Sequence, residues 1–320
     1  MSDVFGLVLP FFGLIFLGFF VARITRQPID ALGWMNTFIV YVALPALFFQ
    51  LLAKTPFEQL AEWTFILGAV ASTYAIFTVM FAGSMLIERS GIAESTIKGL
   101  AAAYGNIGYM GPGLALLVLG QEAAVPVALI FCFENIIHFT VAPMMMALAG
   151  GDKSTPWQLA KGIVRKIVLH PFIIATAFGV VAAYVQLRPP LPVERLLEYL
   201  SAAAAPCALF AMGVTLALRP LKRVPRELGP IALLKLIVHP LVCYVVLSWV
   251  GNFSPVWLFS AVLLAALPTA TNVFVIAQQY GVWVERASAS ILLTTCISVA
   301  TVTGLLYFIK GGMLPPDLFP

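Results

Sequence analysis

Glu134, Asn135 and His138 stand in the run Phe133-Glu134-Asn135-Ile136-Ile137-His138, deep inside a long apolar stretch. Glu134 and His138 are four residues apart, so on a helix they share one face. An ionised carboxylate at mid-bilayer costs about 2.5–3.5 kcal/mol on insertion scales, which makes Glu134 the sharpest single candidate in the chain. Two roles fit it. As a proton carrier it loads and releases a proton as a cavity opens to either side; as a structural group it stays neutral and hydrogen-bonds interrupted backbone. Lys235, followed one turn later by His239 and Pro240, is the second intramembrane charge. It can serve as the cationic partner of an anionic substrate, pair with Glu134, or snorkel to the headgroups. Arg226 and Glu227 mark that end of its segment as interfacial, which favours snorkelling or structural pairing.

Two further runs combine polar groups with helix-breaking residues. Ala103-Tyr104-Gly105-Asn106-Ile107-Gly108-Tyr109-Met110-Gly111-Pro112-Gly113 holds four glycines and a proline in its last nine residues. Each Gly costs a helix interior about 1 kcal/mol and each Pro about 3 relative to Ala, so a helix breaks here. Ala265-Ala266-Leu267-Pro268-Thr269-Ala270-Thr271-Asn272 breaks likewise, with hydroxyl and amide side chains at the interruption. Unpaired backbone is tolerated in hydrocarbon only where protein covers it or a wet cavity solvates it. Half-helix N-termini at such a cavity present amides and positive dipole ends to an anion. Asn106, Tyr109, Pro112, Pro268, Thr269 and Asn272 are therefore the candidate substrate-binding residues, and Glu134, Asn135, His138 and Lys235 the candidates for coupling. The structural alternative is a pair of kinks that only permit close helix packing. Thr294, Thr295 and Ser298 offer weaker hydroxyl ligands, since hydroxyls commonly bond back to their own helix. His170, before Pro171, reads as interfacial. No cofactor and no metal site is expected: Cys132, Cys207, Cys243 and Cys296 are far apart in apolar runs and read as small buried hydrophobes.

The elements that must position these residues are membrane spans. Of 320 residues 61% are hydrophobic and only 10% charged, and the mean hydropathy is +1.00. Soluble domains are about a quarter charged, so the composition excludes nearly every soluble enzyme and any nucleic-acid binder. An intramembrane enzyme would need a nucleophile–base or metal constellation, and no HExxH, GxSxG or Asp pair is present. A crossing helix needs about 20 apolar residues. Ten segments qualify: 4–22, 32–52, 63–87, 98–119, 122–148, 166–187, 196–217, 228–250, 256–278 and 285–309. Thirteen basic residues fall in odd-numbered loops: Arg23, Arg26, Arg89, Lys98, Lys153, Lys161, Arg165, Lys166, Arg219, Lys222, Arg223, Arg226 and Arg286. Only Lys54, Arg188, Arg195 and Lys310 fall on the other side. The positive-inside rule then makes the odd loops cytoplasmic and both termini external. The first segment reads as a retained span rather than a signal peptide.

A shift of 161 residues superposes Pro10 on Pro171, Pro28 on Pro189, Pro45 on Pro206, Gly18 on Gly179, Gly68 on Gly229, Gly120 on Gly281, Gly150 on Gly311 and Gly151 on Gly312. Composition predicts about two such coincidences at one offset. Residues 1–150 and 166–312 thus read as two five-span repeats joined by a cytoplasmic loop at 151–165, and an odd number of spans inverts the second copy. The expected fold is an all-α polytopic membrane protein of ten transmembrane helices in two inverted repeats, with helices 4 and 9 broken.

The Gly-Asn-Ile-Gly and Pro-Gly run at 105–113, Leu-Pro-x-x-x-Asn at 267–272 followed by Gln279-Tyr280-Gly281, and Leu44-Pro45-x-Leu47-Phe48 resemble the auxin efflux carrier family, which includes plant carriers and bacterial organic-acid permeases. The resemblance covers essentially the whole chain, and the short central loop is similar to that of the bacterial members. It implies a scaffold of spans 1, 2, 6 and 7, a mobile transport domain of spans 3–5 and 8–10, crossing breaks in spans 4 and 9, a substrate carboxylate near Asn106, and a homodimer in the inner membrane. The expected function is secondary transport of small organic anions by alternating access. Proton coupling through Glu134 ranks first, potential-driven uniport second and sodium symport, as in the similarly built bile acid:sodium symporters, third. A membrane ligand sensor using the same pocket is the alternative of a different class.

Overall fold

The computed structural model describes residues 2–56, 61–150, 155–218 and 227–319. Lys153, Arg219, Lys222, Arg223 and Arg226, which carry part of the charge asymmetry, lie outside the described residues. Thirteen helical stretches follow one another among those described: α1 Ser2–Thr25, α2 Asp30–Ala53, α3 Trp63–Leu86, α4 Ile92–Ala103, α5 Gly111–Leu119, α6 Ala124–Leu148, α7 Pro156–Val168, α8 Pro171–Tyr184, α9 Leu191–Leu218, α10 Leu228–Val250, α11 Pro255–Ala265, α12 Thr271–Tyr280 and α13 Val284–Lys310. An isolated antiparallel bridge pairs Gly105 with Thr269.

Among the described residues six helices are long and apolar enough to cross a membrane: α2, α3, Gln121–Leu148 (which contains α6), α9, α10 and α13. Pro156–Val168 and Pro171–Tyr184 form a seventh candidate, bent by 59°. Phe16, Phe20, Leu67, Val79, Phe178, Leu233, Leu241 and Val275 are all exposed, while Glu134 and Lys235 are buried. Water would penalise that distribution and a bilayer rewards it. The protein is an all-α, multi-pass membrane protein. The predicted connecting loop at 151–165 is helical from Pro156 onward. Pro suits the first turn of a helix, and the stretch buries Ile163 while Lys161, Arg165 and Lys166 stay outside.

Two compact units make up the chain. The first comprises Met1–Trp63, Gly108–Cys132 and Leu169–Pro220. Within it α1 and α9 approach so closely that a Cβ on Gly18 would lie 2.2 Å from the Phe210 carbonyl oxygen, and one on Gly213 would lie 1.9 Å from that of Ile15. Small residues let backbones touch where lipid supplies no hydrophobic drive between helices. Gly179 of α8 meets α2 in the same way, with a Cβ there 2.9 Å from that of Leu52. Phe48, Phe131 and Phe172 form an aromatic cluster, Phe48 stacking on Phe131 at 4.7 Å.

The second unit comprises Thr64–Ile107, Phe133–Val168 and Leu221–Pro320. Its apolar core gathers Ile76, Leu100 and Tyr104 with Val273, Ala277 and Ala287. At one end the ammonium of Lys98, wholly buried, lies 2.6 Å from Glu88, 2.7 Å from Glu94 and 3.8 Å from Glu227. Arg286 reaches Glu227 at 3.0 Å. Lys98, counted among loop cations in the sequence, is thus the centre of a charged clasp. Of the cysteines, Cys132 and Cys243 are buried as expected, but Cys207 is half-buried and Cys296 is exposed on α13; a small apolar thiol is tolerated on an apolar helix surface.

Candidate functional site at the paired helix breaks

Two helices of the second unit stop short, and their frayed ends meet. The helix α4 ends at Ala103, after which Tyr104 is extended. α11 ends at Ala265, because Pro268 has no N–H to offer and its ring would collide with a preceding carbonyl. Ala270, also extended, caps α12. The freed backbone groups then satisfy one another: the Asn106 amide donates to the Pro268 carbonyl at 2.8 Å, and the Ala270 amide donates to Tyr104 at 2.9 Å. Thr269 completes the junction. Its hydroxyl donates to the Ala101 carbonyl at 2.7 Å, and its amide donates to the Thr294 hydroxyl at 3.1 Å. Orphaned backbone that would be prohibitive in hydrocarbon is paired across the two breaks.

Glu134 and Lys235 flank this junction from α6 and α10, joined by an oriented chain of hydrogen bonds. Lys235 occupies a π-helical turn, Leu234–Val238. Its ammonium donates to the Ala265 carbonyl at 2.5 Å and to His239 Nδ1 at 2.9 Å. Thr73 Oγ1 donates its single proton to Glu134 Oε1 at 2.6 Å. The contact of 3.1 Å between Thr73 Oγ1 and His239 Nε2 must then be donated by the imidazole. That tautomer leaves Nδ1 free to accept from Lys235, so every link in Lys235–His239–Thr73–Glu134 points from ammonium to carboxylate. The arrangement corrects the snorkelling expectation. Lys235 has 0% exposure, since the carbonyl at the end of α11 holds its ammonium inside. Nor does it pair directly with Glu134; His239 and Thr73 intervene.

A second strand of the network reaches the asparagines. The Tyr104 hydroxyl donates to Asn135 Oδ1 and accepts from Asn272 Nδ2 at 2.8 Å. The Tyr104 ring stacks on His138 with centroids 3.9 Å apart. His138 Nδ1 lies 2.9 Å from the Tyr74 hydroxyl. Its Nε2 faces Glu134 Oε2 at 4.0 Å, with no hydrogen-bond partner among the described residues.

Of the ten sequence-derived candidates, Asn106, Pro268, Thr269, Asn272, Glu134, Asn135, His138 and Lys235 lie in this unit. Asn106, Pro268 and Thr269 are buried, and Asn272 is half-buried. Tyr109 and Pro112 belong to the first unit, the former half-buried and the latter in the first turn of α5. Sequence reading passed over Thr73, Tyr74 and the bridging role of Tyr104. Only the position of Tyr104 beside Gly105-Asn106 could have signalled it; Thr73 and Tyr74 carry no local mark. Thr294, Thr295 and Ser298 bond back to the carbonyls of Ser290, Ile291 and Thr295, and Thr294 alone also contacts the break.

Comparison with known proteins agrees with a transport scaffold. A protein of Rhizobium meliloti (strain 1021) named "Putative malonate transporter" is 63% identical over 320 residues, covering 100% of both chains. An "Uncharacterized transporter" of Methanothermobacter thermautotrophicus is 24% identical over 92% of this chain and 95% of its own. The "Uncharacterized transporter YfdV" of Escherichia coli (strain K12) is 22% identical over 94% and 96%. Residues 3–306 match the family described as "Membrane transport protein". The chain therefore belongs to this membrane transport protein family, the family of the auxin efflux carriers.

Proposed function

We propose that this membrane transporter carries small organic carboxylates by alternating access, with Glu134 as the proton-coupling group and net anion movement down the membrane potential as the second driving force. One observation carries the reading: two interrupted helices pair through Asn106–Pro268 and Tyr104–Ala270 inside a unit that also buries a carboxylate and an ammonium. Interrupted backbone with mid-depth charge is how transporters of inverted-repeat build present dipoles and ligands to a substrate. The substrate carboxylate is assigned to the neighbourhood of Asn106, Thr269 and Asn272. Tyr109 and Pro112 are retained as candidates from the segment that follows.

Ten spans in two inverted repeats belong to the same proposal. A shift of 161 carries α5, Gly111–Leu119, onto 272–280, against Thr271–Tyr280 for α12. It carries α6, Ala124–Leu148, onto 285–309, against Val284–Lys310 for α13. The equivalent glycines Gly120 and Gly281 both end half-helices with positive φ, 84° and 66°. Gly18 and Gly179 are likewise equivalent; the one brings α1 against α9 and the other α8 against α2, an exchange of partners that a two-fold relation requires. On this reading spans 1, 2, 6 and 7 are the scaffold, spans 3–5 and 8–10 move, the protein is a homodimer in a bacterial inner membrane, and both termini are external.

The test is uptake of labelled malonate, the substrate in the near relative's name, by proteoliposomes holding the purified protein under an imposed pH gradient or potential. Saturable uptake is expected, with Glu134→Gln losing the response to the pH gradient. Ligand binding without flux would replace transport by sensing, and an undiminished pH response in Glu134→Gln would remove Glu134 from coupling.

A further inference from the structure

The last carbonyls of a helix carry partial negative charge, and in a membrane interior they need a donor or a cation. Transporters with broken helices commonly meet that need with the coupling ion, held by unwound carbonyls and half-helix C-terminal ends. In this chain the position at the end of α11 is already filled. The Lys235 ammonium donates to the Ala265 carbonyl at 2.5 Å, with His239 Nδ1 at 2.9 Å as its second partner. Gly105 of the other break makes room: a Cβ there would lie 3.3 Å from the ammonium nitrogen. Nothing about packing alone calls for this. A lysine brought wholly out of water is costly unless its charge is used.

We propose that the Lys235 ammonium is a covalently tethered cation that takes the place of a mobile alkali cation at the paired breaks, so that this protein binds and moves its anion without sodium. The inference rests on the transport reading for its consequence, and on geometry alone for the occupancy of the position. The groups that set the charge there are Glu134, reached through Thr73 and His239, the Ala265 carbonyl, and the backbone at Gly105 beside Asn106. An anion near Asn106 thus meets a positive charge that need not be imported with it. A lysine side chain also excludes sodium by occupying its volume.

Thermal unfolding of the purified full-length protein in sodium, choline and methylammonium chlorides at equal ionic strength decides the question without any flux. Wild type should melt at the same temperature in all three. Lys235→Ala, which leaves a hole lined by the Ala265 carbonyl, should melt several degrees lower in choline and recover most of the loss in sodium or methylammonium. Lys235→Met, which fills the hole without charge, should be lowered and recover nothing. Specific stabilisation of wild type by sodium overturns the proposal. So does a Lys235→Ala protein indifferent to both small cations, or one recovered folded in none of the three salts. Recovery of folded Lys235→Ala only in sodium or methylammonium supports it. In proteoliposomes malonate uptake by wild type should be equal in sodium and choline, and sodium dependence there is equally fatal. Absence of uptake in every medium would defeat the transport reading, while the melting series would still decide the tethered cation.

Discussion

Tyr104 shows how much one side chain can hold. Its hydroxyl links the amides of Asn135 on α6 and Asn272 on α12, and its ring covers His138. Tyr104→Phe keeps the ring and deletes both hydrogen bonds, one to a buried group of Asn135 and one from the half-buried amide of Asn272. Each such buried group costs about 1–3 kcal/mol, so unfolding free energy should fall by that order, measured by thermal denaturation in detergent. Because the ring still stacks, the fold should survive and the loss should appear as well in carboxylate affinity. Asn135 and Asn272 were individually visible as polar residues in apolar runs. Their connection was not, since residues 31 and 168 positions from Tyr104 have no sequence signature of contact.

At the scale of elements, glycine decides how helices meet. Gly213 has no room for a side chain: a Cβ would stand 1.9 Å from the Ile15 carbonyl oxygen, and the obstacle is backbone, which cannot swing aside. Gly213→Ala must spread α1 and α9, and overpacking of this kind costs about 1–3 kcal/mol or more. A lower melting temperature, with Gly6→Ala as an unobstructed control on α1, is the expected outcome. The helix breaks were legible because Gly-Pro-rich runs contradict helix propensity so strongly. What stayed hidden was that the two broken ends would complete each other's hydrogen bonds. Broken backbone states only that a partner is needed; the identity of the partner is a matter of three-dimensional approach.

For the whole molecule, the charge asymmetry predicts orientation. Thirteen cations in the odd-numbered loops of the proposed ten-span topology against four in the even loops and C-terminus should place both termini outside, so a reporter active only outside the cytoplasm should be active when fused after Pro320, and one active only in the cytoplasm should be silent. The reverse pattern would invert the proposed topology. Composition and period by themselves determined that the chain is a multi-pass helical membrane protein, where its helices break, and that Glu134 and Lys235 are out of place in lipid. These follow from local free energies of transfer and helix formation, which depend on residue type and near neighbours alone. Only the tertiary structure decided that Lys235 turns inward to the Ala265 carbonyl instead of outward to headgroups, that His239 and Thr73 carry its contact to Glu134, and that Lys98 sits at the heart of a cluster of carboxylates. The direction in which a long charged side chain points is set by whichever distant group offers the better partner, and such a group enters only when the chain has folded.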